Sequence, residues 1–212
     1  MKFSIIIPVY NEEDTLKKKY SFLQWLKTEL AAELIIIDGR SDDNTFVIAK
    51  TLTENVYQCD KSRSNQLNIG AEHATGKILI FLHADTYLNR QAVNGILNIT
   101  DNFKWCFFNI KLDSEELKYK ILSYCINLRS KLFKYGTGDQ VIIVNKRVFY
   151  EHSGFKNINL MEDLDISKRL KLRSNPEIIP GEAVTSVRRW QKNGFFRTIF
   201  LMRFLRLLYY FG

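Results

Sequence analysis

Acids, amides and an arginine recur just past short apolar runs in the first half of the chain. The run at residues 3–7 leads into Pro8-Val9-Tyr10-Asn11-Glu12, and the run at 33–38 ends in Asp38-Gly39-Arg40-Ser41-Asp42-Asp43. A weaker run at 55–59 leads into Asp60-Lys61-Ser62-Arg63, and the run at 77–82 into His83-Ala84-Asp85-Thr86. Each such group alone is also what an Asx turn or a helix cap requires. Four together at one rim point to a binding edge. The chemistry would be that of a phosphorylated ligand: Mg²⁺ commonly takes one or two protein carboxylates plus substrate phosphates. Asp85 can supply the carboxylate and Arg63 a cation for the phosphates. Later in the chain, Glu162, Asp163 and Asp165 stand at a helix start, where the helix dipole favours the anion. Either they are first-turn acids only, or one is a general base.

These residues need rigid elements behind them. The runs at 3–7, 33–38 and 77–82 are rich in Ile and Leu and read as strands buried on both faces. Helical patterns at 12–30, 44–52 and 64–73 lie between them. Leu16, Tyr20, Leu23, Leu26 and Leu30 recur at three- and four-residue steps, and Asn11 with Asp14 resembles a capping box. This βαβαβα rhythm predicts an open, doubly wound α/β sheet, whose ligands bind beyond the carboxyl ends of the strands. In the second half, 103–112 reads as a strand with Trp105, Phe107 and Asn109 on one side. Helices are expected at 114–133, 161–172 and 195–211, and strands at 140–145 and 176–187. With ten Gly and three Pro, the 212 residues suit one domain, 1–194, with 195–212 as a helical appendage.

Composition narrows the classes further. An apolar fraction of 46% and a charged fraction of 25% suit a globular chain. The net charge of +8 lies in residues 167–212, which hold ten basic and two acidic side chains. No RRM, KH or helix-turn-helix signature accompanies that charge, so no nucleic-acid partner is expected. Cys59, Cys106 and Cys125 form no CxxC pair, and His73, His83 and His152 have no metal-ligand spacing. His83 reads as a supporting residue rather than a ligand. The start of the sequence lacks a signal-peptide pattern and no run is long enough to span a bilayer, so the expected address is the cytoplasm. Neither GxGxxG nor GxxxxGK[ST] is present, which excludes those phosphate cradles. The segment 195–211 is apolar on most sides and interrupted by Arg197, Arg203 and Arg206. It is expected either to lie on the inner face of a membrane as a peripheral contact or to pack on the domain or a second subunit, as in a homodimer.

The ordered set Ser4-Ile-Ile-Ile-Pro8-Val-Tyr-Asn-Glu12, Asp38-Gly-Arg-Ser-Asp42, and Phe81-Leu-His-Ala-Asp85-Thr86 resembles a family 2 glycosyltransferase of GT-A fold. Gly138-Asp139-Gln140, Gly154-Phe155, Leu160-Met-Glu-Asp163-Leu-Asp-Ile-Ser-Lys-Arg169-Leu170 and Arg188-Arg189-Trp190-Gln191-Lys192-Asn193-Gly194 extend the resemblance to nearly the whole chain, up to Tyr210. The combination is similar to the compact "transferase 2" subgroup associated with radical-SAM and selenoprotein-related genes. The resemblance implies a GT-A sheet, mixed and mainly parallel, flanked by helices. It implies a UDP- or GDP-type sugar donor, Mg²⁺ or Mn²⁺, an acceptor hydroxyl that could be lipid-linked, and inversion at the anomeric carbon.

Carried over residue by residue, Pro8, Tyr10 and Glu12 would frame the nucleoside. Asp38 would contact base or ribose, with Arg40 and Ser41 nearby. Arg63 would follow the diphosphate, and Ala84 and Asp85 would close the DxD-like motif, with Asp85 on the metal. Asp163 would be the general base. Asp139, Gln140, Glu162, Arg189 and Trp190 would lie on the acceptor or diphosphate side. Three positions depart from the pattern: His83 replaces the first acid of DxD, Arg40 replaces a glycine, and Ser153 stands where a second glycine is common. Ser186 also departs from the Q/R-x-x-R-W motif of processive members. The lost DxD acid leaves a second reading open, a non-catalytic nucleotide-sugar-binding or membrane-docking module.

Overall fold

Isoleucine and leucine at consecutive positions leave a strand no polar face, so it must be covered on both sides. That is the arrangement in the computed structural model, which describes every residue except Asn159, Ile178 and Gly212, and only the backbone of Tyr210 and Phe211. The chain runs β1 (Phe3–Val9), α1 (Glu13–Glu29), β2 (Glu33–Asp38), α2 (Thr45–Leu52), β3 (Val56–Gln58), α3 (Arg63–His73) and β4 (Ile78–Phe81). It continues with β5 (Tyr87–Leu88), α4 (Arg90–Leu97), β6 (Trp105–Cys106), β7 (Asn109–Leu112), α5 (Leu117–Phe133), a 3-10 turn (Gly138–Gln140) and β8 (Ile142–Asn145). Last come α6 (Lys146–Glu151), α7 (Glu162–Arg173), β9 (Glu182–Thr185), α8 (Arg188–Asn193) and α9 (Phe195–Phe211).

Six strands form the main sheet in the order β3-β2-β1-β4-β8-β6. The first four are parallel, and β8 is antiparallel to both β4 and β6. Side chains alternate between two apolar layers. Ile5, Ile7, Leu34, Ile36 and Ile80 face α1, α2 and α4. Ile6, Ile35, Ile37, Leu79 and Phe81 face α3, α6 and α7. Burying each of these side chains stabilises the fold by about 1.5–3 kcal/mol. The mixed, mainly parallel α/β sheet is therefore as expected, and α9 is present at the C-terminus.

Three local expectations are corrected. Residues 103–112 do not form one strand: β6 joins the main sheet, while β7 joins a second sheet of order β5-β9-β7. The break falls at Phe108, whose N–H is taken by the Gln140 carbonyl instead of a strand partner. Of residues 176–187 only β9 is strand, and Ile178 within that range lies outside the described residues. No Asn11–Asp14 capping box forms. Asn11 has φ of 51° and its Oδ1 accepts the Asp42 N–H, while the N–H of Glu12 goes to Thr45 Oγ1. The start of α1 is thus tied to the loop after β2. On α1, Leu16, Leu23, Leu26 and Leu30 are buried as the spacing requires, but Tyr20 is exposed and Lys19 is buried in its place.

Candidate active site

The parallel strands end at one edge, and their register aligns Val9, Asp38 and Gln58 there. A cavity of about 620 Å³ opens at this edge. Its floor comes from the end of β1 (Pro8 to Glu12) and from His83, Ala84 and Asp85, which bridge β4 of the main sheet to β5 of the small one. Lys61, Arg63 and Gln66 enter from the start of α3, and Asp139 from the 3-10 turn. Thr185, Ser186 and Arg188 to Trp190, with Lys192 and Asn193, close the far wall from the end of β9 and from α8. Arg188 reaches across to Glu12 at 3.3 Å, joining the two walls.

Of the residues singled out in the sequence, Pro8, Tyr10, Glu12, Arg63, Ala84, Asp85, Asp139, Arg189 and Trp190 line this cavity. Asp38 does not. It is fully buried and accepts from Ser41 N–H, from Ser41 Oγ at 2.5 Å and from Gln58 Nε2 at 2.8 Å. Ser41 Oγ in turn accepts the Asn11 N–H, so Asp38 and Ser41 shape the rim from behind. Arg40 points away to Asp60 at 3.3 Å, with both side chains exposed. Its φ is 58° and that of Ser153 is 59°, so both departures from glycine fall on left-handed backbone. Gln140 is buried and holds the 3-10 turn: its Oε1 accepts from Ser130 Oγ and Thr137, and its Nε2 donates to the Phe108 carbonyl. Lys61 stood in the strand-end group 60–63 without a role assigned to it, and the cavity residues Gln66 and Arg188 carry no strand-end signature. Gln66 fastens the edge by donating to the carbonyls of Val9 and Ile37.

His83 is the hub of a charged chain. The Arg63 guanidinium donates to His83 Nε2, and His83 Nδ1 lies 3.1 Å from Asp139 Oδ1. Arginine has no acceptor, so Nε2 is the unprotonated nitrogen and Nδ1–H donates to Asp139. Arg63 Nε also lies 3.3 Å from Glu162 Oε1. Burial opposes ionisation of Asp139, yet the hydrogen bond from His83 and the charges of Arg189 and Arg63 hold its carboxyl well below the ordinary range. Burial pushes Glu162 up, the Asp163 carboxylate adds to that, and Arg63 opposes both. The two Asp163 oxygens accept backbone N–H groups from Gly138 and Leu164, each at 2.6 Å. A Cβ on Gly138 would stand 2.4 Å from His83 Nε2, so the turn approaches this closely only because residue 138 has no side chain.

Asp85 differs from its neighbours. Among the described residues its carboxylate has no hydrogen bond or ion pair, although it lines the cavity. No cluster of three or more His, Cys, Asp and Glu side chains able to enclose a metal occurs among the described residues. The donor set therefore fits an ion held by one carboxylate and completed by a ligand's phosphates and water, the habit of Mg²⁺.

Residues 4–107 match Glycosyl transferase family 2. Over that part of its length the chain is similar to that family. It is 35% identical over 121 residues to the uncharacterized glycosyltransferase YibD of Escherichia coli, covering 50% of this chain and 35% of that one. It is 25% identical over 186 residues to the poly(ribitol-phosphate) beta-N-acetylglucosaminyltransferase TarS of Staphylococcus aureus, covering 82% of this chain and 30% of TarS. The chain thus spans about a third of the length of these relatives. Among solved structures, a mannosyltransferase from Pyrobaculum calidifontis in complex with GDP-Man and Mn²⁺ aligns with a TM-score of 0.66 at 16% identity, over 88% of this chain and 57% of that one. S. aureus TarS in complex with UDP aligns with a TM-score of 0.63 at 17% identity, over 88% and 61%. The chain accordingly has the GT-A fold.

Proposed function

We propose that this chain moves a glycosyl group from a nucleotide-diphosphate sugar, UDP- or GDP-type, to an acceptor hydroxyl, with inversion at the anomeric carbon. The observation that carries the reading is the unpartnered Asp85 carboxylate in a cavity wall that also holds Arg63 and Arg189. The family and the GDP-Man and UDP complexes of its structural neighbours support it. In this reading Pro8, Tyr10 and Glu12 receive the nucleoside, and Arg63 and Arg189 receive the diphosphate. Asp85 would hold Mg²⁺ or Mn²⁺, which supplies Lewis-acid stabilisation to the leaving diphosphate.

Asp163 takes the proton of the acceptor hydroxyl while that oxygen bonds to the anomeric carbon. The bond from that carbon to the diphosphate oxygen breaks, and its electron pair leaves with the nucleoside diphosphate. The backbone donors of Gly138 and Leu164 orient the Asp163 carboxylate for this role. Arginine charge aimed at the departing diphosphate acts where negative charge develops. No leaving-group acid is needed, which suits a site whose basic side chains outnumber its free acids.

Titration calorimetry with UDP and GDP, with and without Mn²⁺ or Mg²⁺, tests the donor side. The metal is expected to tighten nucleotide binding to the native chain and not to Asp85→Asn. Metal-independent binding of equal strength to both would overturn the role of Asp85. A donor panel then tests turnover: tight binding with no transfer or hydrolysis of any donor would favour the non-catalytic module suggested by His83.

A further inference from the structure

Tyr10 stands just past the end of β1, with its hydroxyl donating to Asp42 Oδ2 at 3.2 Å. Its ring faces the ammonium of Lys61, which lies 3.6 Å from the ring centroid. Both residues line the cavity. Every base has a face that stacks on an aromatic ring, so the ring itself gives no preference among bases. A preference has to come from the polar groups around it.

The backbone of Lys61 is fixed from three directions. Two residues before it, the N–H of Cys59 donates to the Asp38 carbonyl. One residue after it, Ser62 caps α3, and the Ser62 carbonyl accepts the Gln66 N–H. A Cβ on Gly39 would stand 3.4 Å from Lys61 Cα, so the loop after β2 also rests against it. The side chain, by contrast, is exposed and forms no ion pair among the described residues. Its neighbour Asp60 is matched by Arg40, and Arg63 turns to His83 and Glu162. Lys61 and Arg63 thus hold their charges at two separate places, one at the Tyr10 ring and one at the His83 chain.

The polar groups beside the ring suit one kind of base. An ammonium has three donors and no acceptor. The neighbouring side-chain acceptors are in use: Asn11 Oδ1 takes the Asp42 N–H, Asp42 takes the Tyr10 hydroxyl, and Glu12 takes Thr15 and Arg188. Uracil carries the oxygen O4 and guanine the oxygen O6 where cytosine and adenine carry an amino group. An oxygen at that position accepts from the ammonium. An amino group there offers it no acceptor and leaves both sets of donors unpaired.

We propose that Lys61 selects the base of the donor, its ammonium moving from the Tyr10 ring to O4 of uracil or O6 of guanine. The proposal rests on the reading above that the nucleoside lies toward Tyr10. An exposed cation–π contact is weak, so it keeps the ammonium at this end of the cavity and still lets it exchange. The flexible four-carbon stem lets one fixed backbone position serve a base of either ring size. Lys61 touches no reacting atom and acts on donor choice alone.

Calorimetry in the presence of Mn²⁺ tests this with two matched pairs, UDP against CDP and inosine diphosphate against ADP. Each pair exchanges the oxygen for the amino group and keeps the ring size, ribose and diphosphate. The native chain is expected to bind the oxygen-bearing member of its better-bound pair about tenfold more tightly or better. Lys61→Met should bring that pair within about twofold by weakening the oxygen-bearing member. Lys61→Arg, which keeps the charge and the donors, should retain the preference. Both substitutions fall at an exposed position and leave the core untouched. No preference in the native chain, or one that Lys61→Met leaves intact, would overturn the proposal. So would equal weakening of both members, which would put the ammonium at the diphosphate instead. If none of the four nucleotides binds, the donor reading itself fails and the proposal falls with it.

Discussion

Residues 3–107 reach the cavity from the ends of buried parallel strands and the start of α3, whereas 108–193 reach it from a 3-10 turn, the end of β9 and the short helix after it. The first arrangement is held by continuous apolar packing on two faces, with Asp38, Ser41 and Gln66 fastening the edge. The second is held by single hydrogen bonds over long sequence distances, such as Gly138 N–H to Asp163 and Gln140 to Phe108. The difference teaches a division of labour. The rigid half presents the groups proposed to meet the nucleotide, and the hydrogen-bonded half holds the Asp163 carboxylate, the proposed base, through the Gly138 N–H.

The largest expected effect tests the second half. Asp163→Asn should lower kcat by roughly 10²–10⁴-fold, the usual contribution of a positioned base, while leaving nucleotide affinity within about twofold. Steady-state kinetics beside calorimetry checks this; an unchanged kcat would remove Asp163 from the chemistry.

Two glycines sharpen the contrast. A Cβ at Gly70 on α3 would stand 2.3 Å from Ile6 Cγ2 in the strand core. Gly70→Ala should therefore cost about 1–3 kcal/mol of stability by overpacking, read in urea denaturation. Gly138→Ala meets the His83 ring, which Arg63 and Asp139 hold in place, and should cost activity well before stability. Equal stability losses from both would break the division.

Lys19 is the exception inside the rigid half. Its ammonium is buried over the Tyr87 ring at 3.2 Å with no hydrogen-bond partner among the described residues, and burial pulls it down to about 7 against the opposing pull of Asp85 and Asp113. Between about pH 7 and the ordinary lysine range the unfolded chain binds more protons than the native one, so this group makes stability rise with pH. Lys19→Met should flatten that rise and raise Tm near neutral pH by about 2–4 °C. Thermal melts across pH read both.

Smallest are the backbone effects at the two departures from glycine. Arg40→Gly and Ser153→Gly should each gain up to about 1 kcal/mol, the left-handed penalty less the greater freedom of an unfolded glycine. Denaturant midpoints decide it, and a loss at either site would show that its side chain matters more than its φ.

Sequence reading served the rigid half best because period and apolar run length are local signals. Ile5 to Ile7 and Leu34 to Ile37 declare a doubly covered strand without reference to anything distant. The polar residues after such strands are then placed at the edge by the fold itself. What local pattern could not show was orientation: Asp38 and Asp85 both follow apolar runs, yet Asp38 turns inward to Ser41 and Gln58 while Asp85 lines the cavity. The splitting of residues 103–112 depends on the distant Gln140 carbonyl, which no period announces. Gln66 was missed because its role rests on the start of α3 lying over β1 and β2. His83 read as a supporting residue, and its links to Arg63 and Asp139 accord with that. The exposed face of α5, with Leu117, Ile121, Tyr124, Leu128 and Leu132, had no signal distinguishing it from a second core face.

In the proposed reaction a nucleotide diphosphate lies against Asp85 and Arg63. Crystals soaked with UDP or GDP and Mn²⁺ test it most directly. The account predicts the ion on the Asp85 carboxylate and the diphosphate between it and the Arg63 guanidinium, with the nucleoside toward Tyr10. A nucleotide bound elsewhere, with Asp85 touching neither ion nor phosphate, would contradict it.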